Sequence, residues 1–87
     1  MHELFRVSAT SEPKTVAKVM ANAIREGKRI ELRAIGAAAV NQAVKSIAIA
    51  RGYVAPNDID LVCHPYFKDV DVGGVERTSI QFVMTPA

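Results

Sequence analysis

Over the first 52 positions the apolar residues alternate between a two-residue and a helical period, and this pattern constrains the fold more than any other feature. Leu4 to Ser8 reads as a strand with Phe5 and Val7 on one face. Ala9-Thr-Ser-Glu-Pro13 interrupts it. Ser11 is the candidate cap of a following helix, and Pro13 suits its first turn, where a missing N–H costs nothing. From Lys14, Val16, Val19, Met20, Ala23 and Ile24 recur at helical spacing until Gly27. Arg29 to Ala34 alternates again, with Ile30, Leu32 and Ala34 on a buried face and Arg29, Glu31 and Arg33 on the other. After Gly36 a second helix runs from about Ala38 to Arg51. Val40, Ala43, Val44, Ile47 and Ala48 form its apolar stripe, and Gly52 is its stop.

The rest of the chain reads as strands. Ala55-Pro-Asn57 is a turn, and Ile59, Leu61 and Cys63 alternate with Asp60, Val62 and His64 in a third strand limited by Pro65. Gly73-Gly74 signals a hairpin, and the last strand covers about Thr78 to Met84. The predicted fold class is therefore α/β, in detail an α+β two-layer sandwich. Its order is β-α-β-α-β-β, with a mixed four-stranded sheet and one domain over residues 1–87. Right-handed crossovers put both helices on one face and leave the other open. A chain of 87 residues buries only about 60% of its unfolded surface. A homodimer that hides more apolar area is accordingly expected.

Several function classes are excluded. No apolar run approaches the roughly 18 residues that span a bilayer, so no membrane partner is expected. The first residues lack the apolar core of a signal peptide. One cysteine, Cys63, cannot form an intramolecular disulfide, and a cytoplasmic location is expected. Cys63 and His64 point to opposite strand faces, so no metal site is predicted, and Cys63 reads as a buried structural residue. The chain holds no Ser-His-Asp order, P-loop or GxGxxG motif. No catalytic residues, no cofactors and no enzymatic activity are predicted.

Charge is unevenly placed. Residues 1–52 hold nine Lys or Arg against four acids, a balance of +5, whereas residues 53–87 hold two against five, a balance of −3. A basic half suits phosphate. In the predicted topology the loop Ser8–Pro13, the loop Ile35–Ala38 and the Gly73-Gly74 hairpin emerge at one end. Two of them open helix N-termini, whose free N–H groups attract anions. Lys14 and Lys18 lie one turn apart there, Arg33 ends the second strand, and Asn41 and Gln42 lie early in the second helix. Each has a structural alternative: Ser11 as a helix cap, Lys14, Lys18 and Arg25 as a solvated stripe, and Gly36 for backbone freedom.

The segment Ala34-Ile-Gly-Ala-Ala-Ala-Val-Asn-Gln-Ala-Val-Lys45, with Ile47-Ala-Ile-Ala-Arg-Gly-Tyr-Val-Ala-Pro56, closely resembles the stage V sporulation protein S family. So do Leu4-Phe-Arg-Val-Ser-Ala9 and Gly74-Val-Glu-Arg-Thr-Ser-Ile80. The resemblance covers almost the whole chain and implies regulation of sporulation or related developmental gene expression. More distantly, the element order and the glycine turn before Asn-Gln-Ala-Val-Lys look like Alba, a family of dimeric DNA and RNA binders. Alba uses its first strand–helix loop, the loop before helix two and a hairpin arm. By position these imply Ser11 and Lys14, then Arg33, Gly36 and Asn41, then Lys68 and Arg77 as nucleic-acid-binding residues. Lys14 stands without a second lysine, Ile35 occupies a position commonly arginine, and the arm is expected to be short and acidic.

The expected partner is DNA or RNA, bound weakly or in a sequence-tolerant way. The competing expectation is a protein–protein interaction module that regulates development or cell division and works through the alanine-rich second helix and the open sheet face.

Overall fold

The computed structural model describes residues 2–87. The elements are β1 (His2–Val7), α1 (Pro13–Arg25), β2 (Arg29–Ala34), α2 (Ala37–Val54), a 3-10 turn (Ala55–Asn57), β3 (Leu61–Val72) and β4 (Val75–Pro86). The sheet order is β1-β2-β4-β3. β1 and β2 pair in parallel, and β4 runs antiparallel to both of its neighbours. This is the predicted β-α-β-α-β-β two-layer α+β arrangement. The last strand pairs with the third, as its hairpin requires, and also lies beside β2. β3 is thereby an edge strand.

Strand alternation assigns the two faces. Phe5, Val7, Ile30, Leu32, Ala34, Phe82 and Met84 join the buried core under the helices. Leu4, Arg6, Glu31, Arg33, Tyr66 and Gln81 occupy the opposite positions. Met20, Ile30, Leu32, Leu61 and Met84 are among the largest side chains almost fully removed from water. Each such burial contributes roughly 1.5–3 kcal/mol.

Both helices bury part of the expected stripe, Met20, Ala23 and Ile24 in α1 and Ala43 and Ile47 in α2, but each stripe is rotated toward small residues. In α1, Ala17 and Ala21 are buried, and Val19 is exposed. In α2 the buried stripe is Ala39, Ala43, Ser46, Ile47, Ala50 and Val54, whereas Val44 and Ala48 face outward. The reason is that each helix packs on the other as well as on the sheet. Alanines let two helix axes approach closely, so the small residues form the seam. The Ser46 hydroxyl is satisfied at that seam by donating to the Gln42 carbonyl at 2.8 Å.

Three local expectations need correction. The cap of α1 is Glu12, whose carboxylate accepts from the Lys14 N–H at 3.2 Å. Ser11 is unavailable because its hydroxyl accepts from the Ser8 N–H at 2.9 Å. Pro65 does not limit β3, which continues to Val72. A proline is tolerated there because an edge strand need not donate on its outer side. Finally, β3 and β4 have 12 residues each against 6 in β1 and β2. Since β2 reaches only Ile80 on β4, the paired segments 68–72 and 75–79 extend past the sheet as a two-stranded ribbon. The arm is therefore long. It closes through Gly73 and Gly74, both at positive φ, in the two-residue turn that suits strand twist.

Gly36 sits at φ 89° and ψ 156° between β2 and α2. That region is accessible essentially to glycine alone. A methyl group there would meet nothing within 4 Å, so the requirement is conformational rather than steric. Gly36→Ala is expected to destabilise the fold by about 1–3 kcal/mol in urea unfolding, with the m-value unchanged.

Candidate nucleic-acid interface

The β1–α1 loop and the start of α2 are held together directly. The Gln42 side-chain amide donates to the Ser11 carbonyl at 3.1 Å. Ser11 also fixes the loop internally, through the Ser8 N–H and a 3.2 Å bond between the two hydroxyls. Sequence reasoning placed the two helix beginnings at one end, and this bond shows them joined there.

The two beginnings are not equivalent. At α1 the Glu12 carboxylate occupies one of the free N–H groups and places a negative charge on the axis. That disfavours a second anion. At α2 the cap residue is Gly36, no side chain caps the helix, and no acid stands in the first turn. The N–H groups that open α2 therefore carry the positive end of an 18-residue helix with no acid in its own first turn. Lys14, Lys18 and Asn41 are exposed near these helix starts, and neither lysine forms an ion pair among the described residues.

Arg33, Lys68 and Arg77 occupy the opposite layer. Arg33 stands on the helix-free face of β2, and alternation puts Lys68 and Arg77 on the same face of the ribbon. The predicted residues thus form two groups, with Ser11, Lys14, Lys18, Gly36 and Asn41 in the helix layer and Arg33, Lys68 and Arg77 across the sheet. One-dimensional spacing could not reveal that separation.

Other cations are engaged in the fold. Arg25, grouped by sequence with Lys14 and Lys18, donates to Asn57 Oδ1 at 2.9 Å and to the Tyr53 carbonyl at 2.8 Å. It ties the end of α1 to the end of α2. Lys28 pairs with Glu3 at 3.0 Å, and Arg51 with Asp60 at 3.1 Å.

The helix-free face holds an organised polar network that sequence reasoning missed. Alternation made Glu31 a solvated residue, yet it is only 6% exposed. Its Oε1 accepts from Tyr66 Oη at 3.0 Å and from Gln81 Nε2 at 2.8 Å. With its amide so oriented, Gln81 presents Oε1 to Arg33 Nε at 3.0 Å. Burial, and then the bond to Glu31, raise the Tyr66 phenol above its ordinary 10.0. Arg6 was also missed. It is the register partner of Arg33 across β1 and β2, and the two line a cleft of about 540 Å³ beneath the ribbon tip. The alternation of both strands was a usable signal, but their register was not.

Cys63 is half-buried rather than buried, and burial pushes its thiol up. His64 is exposed. Among the described residues no three of His, Cys, Asp and Glu converge as metal ligands, and no helix is long and apolar enough to cross a membrane. Compared with known families, residues 3–87 match the family model described as Stage V sporulation protein S (SpoVS).

Gln81→Ala removes one donor from the buried Glu31 carboxylate and the anchor from Arg33. It is expected to cost about 1–3 kcal/mol in urea unfolding. The raised Tyr66 pKa gives the sign of a pH effect. Its contribution to stability is complete below pH 10.0, the unfolded value, and falls as pH rises through the higher folded value. Alkaline absorbance titration is expected to show a phenol that ionises above 10.0 in the folded protein and loses that delay in urea.

Proposed function

The chain belongs to the stage V sporulation protein S family, and from that premise we propose that this sporulation-related regulatory protein acts by binding the phosphate backbone of DNA or RNA, as a homodimer and without reading sequence. One observation carries the reading. The start of α2 has neither a side-chain cap nor an acid, and it is bonded through Gln42 to a loop that leads into Lys14 and Lys18. Free N–H groups and lysines contact phosphates, which position a protein on nucleic acid without specifying bases. Glu12 at the other helix start makes α2 the main anchor and limits the number of phosphates held. Weak, sequence-tolerant binding follows from that number. The family is a regulatory one and is not known for catalysis.

The dimer reading rests on an apolar corner outside the core. Phe67 is 78% exposed and Val44 51% exposed. Ala37, Val40, Phe67 and Ile80 line one groove of about 440 Å³ between α2 and the β3–β4 hairpin. A small domain gains most by covering such a surface with a second copy of itself. A different protein partner seated on the same corner is the competing reading, and it needs none of the lysines.

Two outcomes are expected. Fluorescence anisotropy on a mixed-sequence duplex and on RNA should give a Kd of about 100 µM or tighter at low salt, weakening as salt rises. Lys14→Ala with Lys18→Ala should weaken all sequences alike and reduce the salt slope by roughly 0.9 per lost duplex contact. Absence of binding at low salt overturns the nucleic-acid reading. Sedimentation should show a dimer that Val44→Asp converts to a folded monomer, and a monomeric parent protein would exclude the dimer.

A further inference from the structure

The cleft beneath the ribbon tip has a chemistry that the helix starts lack. Arg6 and Arg33 are direct register partners on adjacent parallel strands. Like charges placed opposite one another destabilise a sheet. Among the described residues neither guanidinium forms an ion pair. Arg33 is nonetheless held in place, because Gln81 accepts from its Nε at 3.0 Å and is itself fixed by Glu31 at 2.8 Å. Glu31 and Gln81 are each 6% exposed, so this support lies inside the protein. The terminal N–H groups of Arg33 and the whole fork of Arg6 remain for a ligand in the cleft they line.

We propose that this cleft binds a terminal phosphomonoester of nucleotide size, with Arg6 and Arg33 as its phosphate clamp. Two adjacent guanidinium forks match a tetrahedral dianion, and a phosphomonoester carries about −1.5 to −2 near neutral pH. The volume of about 540 Å³ far exceeds a phosphate and falls within the usual range of small-molecule sites. The remaining lining is largely apolar, with Ala9 and Ile35 on one side and Val70 and Val72 of the ribbon on the other. That suits a flat base. Asp71 also lines the cleft, with Oδ1 accepting from the Gly74 N–H at 2.8 Å. A carboxylate at that end repels a continuing phosphate backbone and accepts from sugar hydroxyls. The ligand therefore carries one phosphate at the arginine end and hydroxyls at the ribbon end. This inference goes beyond the backbone reading, since Arg6 and the ribbon tip have no part in it.

The test is a titration of the 15N-labelled protein with adenosine 5′-monophosphate, with adenosine and inorganic phosphate as separate probes. Expected are saturable shifts of Arg6 and Arg33 Nε and of the Val70–Gly73 amides, with a Kd below about 1 mM. Adenosine should leave the arginine signals unmoved, and inorganic phosphate should bind the same arginines more weakly. Arg6→Gln and Arg33→Gln should each weaken the nucleotide about tenfold or more. Arg6→Gln relieves like-charge repulsion at an exposed position, so its thermal midpoint should equal or exceed that of the parent. A 5′-phosphorylated oligonucleotide that displaces the nucleotide, where its 5′-hydroxyl counterpart does not, assigns the group to a strand end. Failure to displace it assigns the site to the free nucleotide. The proposal is overturned by an absence of shifts, by shifts confined to Ala37–Ala39, or by full affinity in Arg6→Gln. Anisotropy on an internal duplex is expected to be unchanged in Arg6→Gln, so loss of either reading leaves the other measurable.

Discussion

The antiparallel pairing of β4 with β2 is the contact on which the rest of the molecule depends. It sets Phe82 against Leu32 and Met84 against Ile30, so that four large apolar side chains share one layer under the helices. The same pairing drives β3 to the edge and sets how far the hairpin runs past β2. A displacement of one residue would exchange the two faces of β4. Phe82 and Met84 would then meet water, and Gln81 would enter the core.

That register also builds the polar face. Gln81 lies opposite Arg33 in the ladder and reaches Glu31 diagonally, two positions along β2 on the same face. Tyr66 joins from β3, where it is the partner of Gln81. A buried carboxylate is costly unless donors surround it. Here the phenol and the amide supply them, and the amide oxygen left over holds a guanidinium. The open side of a small sheet thus carries an ordered polar array that fixes the Arg33 guanidinium.

Charge in this protein is sorted by layer. The helix layer holds Lys14 and Lys18 near the uncapped start of α2, and the sheet layer holds Arg6 and Arg33 beneath the ribbon. In the chain these residues interleave, which is why a linear reading merges them into one basic half. The placement of Lys14, Lys18, Gly36 and Asn41 at the helix starts was legible because glycines, prolines and apolar periodicity act within a few positions of one another. Arg6, Glu31, Tyr66 and Gln81 were not, because their roles come from neighbours 15 to 50 residues away. The exposure of Val44 and the burial of Ala21 were hidden for a similar reason: hydrophobicity ranks valine above alanine, whereas a close helix seam selects for small size.

Local chemistry was enough to determine the element order, the two-layer class, the hairpin turn and the family, since periodicity, turn residues and motif are written within short stretches of chain. Tertiary structure alone decided which helix start carries a carboxylate cap, how far the arm projects and which arginines stand side by side. Those outcomes depend on strand register and on competition for hydrogen bonds between distant residues. Ser11 and Glu12 illustrate the point, for both are able caps, and the fold chose between them by giving the serine another partner.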